Sequence, residues 1–331
     1  ANGMGIYLFD ADTDLEMLYR DASIGSSYPI PIRSRKRPPV LPDRTDPDGA
    51  KEGRFLLVDV YRGLKKTQRG TITALRIVAV PGKTHPTMNY PVMGLTRDDP
   101  GKCVLGTVPV AEDGSAHFRV PAGVIVFFQA LDEHGMAVQT MRSTTHVQPG
   151  QTLSCIGCHE PRNQAPPQQL ALAARRAPSK ITVGPEGSWP LRFDRLVQPV
   201  LDRHCVVCHD GEPREDGLDI PDLRADQGKY YVIRNNNPEL KLVEGTPRAE
   251  LVEKFGGVFE PSYIELRRHV RVGGFESDLR LLNPREFHVS TSPLFQMLRK
   301  GHHGVQLDPE SLDRLTTWVD LNTPCHGTWE E

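Results

Sequence analysis

Four of the six cysteines in this 331-residue chain fall into two copies of one pattern, Cys155-Ile156-Gly157-Cys158-His159 and Cys205-Val206-Val207-Cys208-His209. With only six Cys and twelve His available, two copies of C-x-x-C-H lie far beyond chance. The spacing has a chemical meaning. Two thiols three positions apart can add across the two vinyl groups of one haem, and the adjacent imidazole then reaches the iron from the proximal side. The pattern therefore predicts two covalently bound c-type haems, held by Cys155, Cys158 and His159 and by Cys205, Cys208 and His209. Such attachment needs reduced thiols on an exported polypeptide, so the expected location is the periplasm or another exported compartment.

The competing chemistry is a zinc site built from two C-x-x-C halves. Here 46 residues separate the halves, whereas zinc ribbons place about 15–20 between theirs and need no His after each pair. A thioredoxin-like motif would require each copy to follow a strand and open a helix, and neither is expected to do so. Cys103 and Cys325 stand far apart, and their spacing leaves open whether they pair in a disulfide or are two small buried thiols.

These motifs need a scaffold, and the chain suggests an α+β protein. An antiparallel β-sandwich domain should precede a mainly α-helical, cytochrome c-like domain. Residues 1–53 read as a β-hairpin, Gly5–Phe9 with Leu15–Tyr19, and a Pro-rich linker carrying the basic run Arg33-Ser34-Arg35-Lys36-Arg37. That run is expected to be a solvated linker face. Residues 54–162 form the sandwich and end in the first motif. Its strands are expected at Phe55–Tyr61, Thr71–Val80, Val104–Val110, Ala116–Val120, Val124–Ala130 and Ala137–Met141, with a hairpin turn at Asp113-Gly114. Residues 163–190 are a Pro-rich connector with one short helix near Gln168–Arg176.

The helical domain spans 191–331. Phe193, Leu196, Val197, Val200 and Leu201 trace one face of a helix that ends on the second motif, and Pro199 should kink or split it. Ser292 should cap a helix starting at Pro293 and stopped by Gly301. Asp308 should cap another starting at Pro309, with Leu312, Leu315, Trp318 and Val319 inward. His302-His303 lies in the short loop between these helices, where a rigid scaffold can deliver a distal iron ligand. His302 is the first candidate for the second haem and His303 the next. Residues 210–290 are polar and loop-rich and carry no assignment.

At the first haem the proximal ligand should be His159. The distal side is open to His85, His117, His134, His146, a Met or nothing, with His146 singled out because it stands nine residues before Cys155. Met136 and Met141 read as sandwich packing. His204 should point away from the iron bound by His209, and His269, His288 and His326 have no motif context.

The rest of the chain narrows the function classes. A net charge of −2 lacks the excess of positive charge that nucleic-acid or membrane-surface binding requires. No apolar run approaches the roughly 20 residues that span a bilayer. No P-loop, G-x-G-x-x-G after a strand or G-x-S-x-G elbow occurs. His159-Glu160 opens like a zincin motif, but Pro161 forbids the helix and Asn163 replaces the second His.

Several stretches together resemble the middle domain of hydrazine synthase alpha-subunit-like proteins. They are Val104–Val110, Asp113-Gly114-Ser115-Ala116, Val120-Pro121-Ala122-Gly123, Gln148-Pro149-Gly150 and Ser154–Arg162. At the far end, Gly301-His302-His303-Gly304-Val305 and Trp318-Val319-Asp320-Leu321-Asn322 extend the resemblance over most of the chain. In that family a β-propeller precedes two haem domains, which implies that the hairpin at Gly5–Tyr19 is the last piece of a propeller and the chain a shortened relative. The family's first haem is catalytic: a Tyr four residues beyond the motif His takes the iron, and that His is associated with zinc. This chain has Asn163 at the matching position. The family's second haem is bis-histidine and moves electrons, a role that His209 and His302 match.

Three functions compete. The first is a dihaem electron-transfer protein or redox-enzyme subunit, working with a redox partner or other subunits. The second is a haem-dependent oxidoreductase of nitrogen chemistry, with substrate at the first haem. The third is a binding or assembly module whose haems are structural staples. The first requires least. Whether the chain is itself an enzyme stays open at this point.

Overall fold

A computed structural model of the chain describes residues 4–10, 14–40, 48–64, 66–85, 91–96, 99–158, 170–185, 189–214, 217, 220–234, 237–273 and 283–329. The chain forms two units, residues 1–44 and 45–331. The first holds an antiparallel hairpin of β1 (Ile6–Leu8) and β2 (Glu16–Tyr19), followed by extended chain. Every residue of β2 is exposed.

The second unit opens with two sheets: β3 (Glu52–Leu57), β4 (Ala74–Ala79), β5 (Cys103–Pro109), β6 (Ala116–Pro121), β7 (Val126–Leu131), β8 (Ala137–Thr140) and β9 (Thr152–Cys155). One has the order β6-β3-β9 and the other β5-β4-β7-β8. Alternate residues of β3 and β6 turn inward, as period-2 burial requires. Phe55, Phe118 and Phe128 meet between the sheets with ring centres 5.1 to 5.8 Å apart. The sandwich is not wholly antiparallel, because β9 runs parallel to β3.

The four-stranded sheet is covered on both faces. Leu75, Ile77 and Ala79 of β4 join the sandwich core, while Val78 of the same strand joins a second core with Val104, Phe127 and Met136 and with residues of the C-terminal half. That explains why apolar residues of β4 occupy both faces of the strand. It also explains Arg76, which is 2% exposed in mid-strand. Its guanidinium donates to Gln129 Oε1 at 2.8 Å and lies 3.7 Å from the Asp320 carboxylate across the junction. Gly106, at φ +133°, forms the bulge that lets Thr182 approach β5 where a Cβ would stand.

Beyond a single 3-10 turn at Leu172–Arg175, the C-terminal half carries α1 (Phe193–Leu196), α2 (Gln198–His204), β10 (Lys229–Arg234), β11 (Asn237–Glu244), α3 (Arg248–Lys254), β12 (Gly257–Phe259), α4 (Pro261–Arg268), α5 (Pro293–Arg299) and α6 (Pro309–Asp320). Pro199 sits in the first turn of α2, where its missing N–H costs nothing, so the expected helix is split at Val197. Around α6, Trp318 packs against Phe193 and Tyr263 with ring centres 5.5 and 6.2 Å away, and all three are fully buried. Burial of such side chains stabilises by about 1.5–3 kcal/mol each.

Two expectations need correction. The expected mainly helical half contains the antiparallel sheet β11-β10-β12, so it is itself α+β. Ser292 precedes α5 but makes no capping bond; its hydroxyl donates to the carbonyl of His288 and accepts from the N–H of Arg271. Asp308 does cap α6, accepting from the N–H of Ser311 at 2.9 Å. Cys103 and Cys325 lie in different cores with no disulfide between them. Among the described residues no helix is long and apolar enough to cross a membrane.

Candidate functional site

Helix α2 delivers the second motif. The N–H groups of Cys208 and His209 both donate to the carbonyl of Cys205, at 3.0 and 2.9 Å, which carries one more turn through the motif. Residues at i, i+3 and i+4 then share a side, so Cys205, Cys208 and His209 converge. The Arg214 guanidinium holds this turn by donating to the Cys208 carbonyl and, at 3.2 Å, to Asp210.

His209 is oriented by its Nδ1, 2.9 Å from the carbonyl of Pro221. A carbonyl only accepts, so Nδ1 carries the proton and Nε2 presents a lone pair. His302 faces it. Gly301, at φ +88°, ends α5 and starts a 3-10 turn over His302–Gly304. The imidazoles of His209 and His302 stand with centres 6.1 Å apart and planes 33° from parallel.

That separation tests whether an iron fits. Two metal–nitrogen bonds of roughly 2.0–2.1 Å plus roughly 1.1 Å from each nitrogen to its ring centre span about 6.3 Å. The gap of 6.1 Å matches. Burial, with help from His303 and His209, lowers the pKa of His302 and favours the neutral ring that a metal needs. Burial pushes the Cys205 thiol up to about 11. His303 is exposed at φ +46°, stacked edge-on against His302 at 4.8 Å.

Sheet pairing places the first motif. Cys155 closes β9 opposite Leu57, and beyond the strand the N–H groups of Val58 and Asp59 donate to the carbonyls of Cys155 and Ile156. The motif thus starts on the last residue of a sandwich strand. Gly157 presses on Arg62: a Cβ there would lie 2.5 Å from its carbonyl oxygen. Cys155 and Cys158 are half-buried against the sandwich core. His159 and Asn163 lie outside the described residues.

The remaining candidates are dispersed. His146 is exposed, and its neighbour Val147 packs on Gly53. Gly53 and Leu57, the partner of Cys155, are four residues apart on β3, about 13 Å along a strand. His117 pairs with Leu56, as Ser154 does, on the sheet face opposite Leu57, and its Nδ1 is buried without a hydrogen-bond partner. His85 and His134 are exposed, His134 lying 3.7 Å from Glu133. Met136 is buried and Met141 packs beside it in the same core. His288 is buried, 3.0 Å from the Thr140 hydroxyl, and His326 is buried against Phe259. His269 is exposed.

Cys155 and Cys158 pack against one core and Cys205 against the other, with Cys208 exposed, and among the described residues no three His, Cys, Asp or Glu side chains converge on a metal position. The Pro221 carbonyl and Arg214 had no sequence signal, because each reaches the motif across an irregular turn.

Residues 70–160, covering most of the sandwich and the first motif, match the family model described as the hydrazine synthase alpha subunit middle domain. No curated protein matches the chain. Its fold is similar to that of hydrazine synthase from Kuenenia stuttgartiensis, with a TM-score of 0.51 and 18% identity over 84% of this chain. The match spans 43% of that protein, less than half its length. The chain thus has a hydrazine synthase-like fold, with a sandwich that matches the alpha-subunit middle domain.

Proposed function

We propose that the chain is a dihaem c-type cytochrome that moves electrons in an exported compartment. One haem would be held by Cys155, Cys158 and His159, the other by Cys205, Cys208 and His209 with His302 as distal ligand. The observation that carries this reading is the pair of imidazoles 6.1 Å apart, one aimed through the Pro221 carbonyl. A haem between two imidazoles supplies one-electron transfer without an open position for substrate. The Pro221 carbonyl would orient His209, and burial of His302 would favour its neutral form. The half of the chain around this haem would then be cytochrome c-like in role, although it carries a sheet. Companion subunits are part of the proposal, since the matched domain belongs to an alpha subunit.

The test is expression in a host that attaches c-type haem. The expected product is heavier by two haems and shows a low-spin component lost on replacing His302. A colourless chain of unmodified mass would overturn the reading.

The match over residues 70–160 favours a second reading, in which the first haem binds a nitrogenous substrate. A high-spin component that shifts with hydroxylamine or nitric oxide would support it. Its absence would leave electron transfer alone.

A further inference from the structure

The segment bearing His209 and the one bearing His302 meet through Asp308. One carboxylate oxygen, Oδ1, accepts from the N–H of Ser311 at 2.9 Å and caps α6. A cap needs no more than this. Yet Oδ2 also accepts from the Ser311 hydroxyl at 2.7 Å, and it lies 3.1 Å from His204 Nε2 and 3.4 Å from Arg203 Nη1. Ser311, 2% exposed, adds a second contact to His204 Nε2 at 3.2 Å.

His204 is the last residue of α2 and adjoins Cys205, while Asp308 ends the loop that begins at His302. The His204–Asp308–Ser311 cluster therefore ties the base of the helix delivering one imidazole to the loop delivering the other. Cys205, Val206, Leu307 and Leu312 also pack against one core that joins these segments. Packing of this kind tolerates sliding more readily than a cluster of charged hydrogen bonds.

We propose that Asp308 is a positioning residue that sets the opening between His209 and His302, through its hold on His204, and so keeps the second haem six-coordinate. This rests on the haem reading of the second motif. With the haem bound, an added ligand would have to displace His302 from the iron, so its apparent affinity would report how firmly the loop is held.

The experiment uses the full chain with both haems attached. Asp308→Ser keeps a capping oxygen and removes the tie, and His204→Phe leaves the cap untouched. Both should raise the affinity of the second haem for added imidazole by at least about tenfold, shift its midpoint potential and introduce a high-spin band. Ser311→Ala, which leaves the Asp308–His204 contact, should do so more weakly. If both variants lose thermal stability but keep wild-type imidazole affinity, spin state and potential, Asp308 is only a helix cap and the proposal falls. Failure of the second motif to carry haem in the unsubstituted chain would instead overturn the underlying reading, and mass measurement of the peptide around Cys205 and Cys208 distinguishes the two.

Discussion

The imidazoles of His209 and His302 stand with centres 6.1 Å apart although 92 residues intervene between them in the chain. His303, next door, turns into solvent at φ +46°. His302→Ala should therefore convert the second haem from low-spin to high-spin, and His303→Ala should leave its absorption spectrum unchanged. Visible spectra of the two variants check this; equal effects would mean that either ring serves.

At the first motif, Gly157→Ala places a methyl group against the Arg62 backbone. The clash should cost about 1–3 kcal/mol. Gly82→Ala is the control, since a Cβ there meets nothing within 4 Å. It should stay within about 0.5 kcal/mol of the parent. Thermal melts of both variants make the comparison.

Arg76 and Asp320 form a buried pair within a network. Asp320 Oδ2 accepts from the N–H of Ala137 at 2.7 Å and Oδ1 from that of Val289 at 2.9 Å, so the carboxylate joins β8 to the C-terminal half. Arg76→Met strands that charge and should destabilise by about 3–5 kcal/mol. Adding Asp320→Asn to it should cost less than the two single changes summed, giving a coupling of about 1–3 kcal/mol in urea unfolding.

Acid should weaken the fold through buried histidines. Burial, reinforced by Arg248, lowers His326 from 6.5 to about 4, and burial also lowers His288. His326 stays neutral in the native state down to about pH 4 while the unfolded chain gains protons below pH 6.5, and His288 acts in the same direction. Stability therefore falls as pH drops from 6.5 towards 4, and the His326 contribution levels off below that. For His326 the loss is about 3 kcal/mol at most. His326→Gln should flatten the slope of unfolding free energy against pH.

Much of this architecture was legible in local chemistry. The Asp308 cap, the Pro199 split and the hairpin at Asp113-Gly114 depend on residues within one turn of each other. Strand β9 was not legible, because Thr152–Cys155 is largely exposed and pairs with a strand some 98 positions earlier. Sheet β11-β10-β12 was hidden for a similar reason: Lys229–Arg234 is half-buried at its first three positions and shows no clean alternation. At the site, the pentapeptides announced their own chemistry. The carbonyl that aims His209 and the carboxylate that grips His204 are supplied by folding, and no spacing rule reaches them.

The doubly covered sheet has a consequence for how the protein comes apart. Because β4 sends Leu75 and Ile77 into one core and Val78 into the other, neither core can melt while its neighbour keeps shape. Heating should remove the scaffolds of both pentapeptides in a single calorimetric peak. A proteolytic nick between residues 163 and 190 should leave two fragments that travel together.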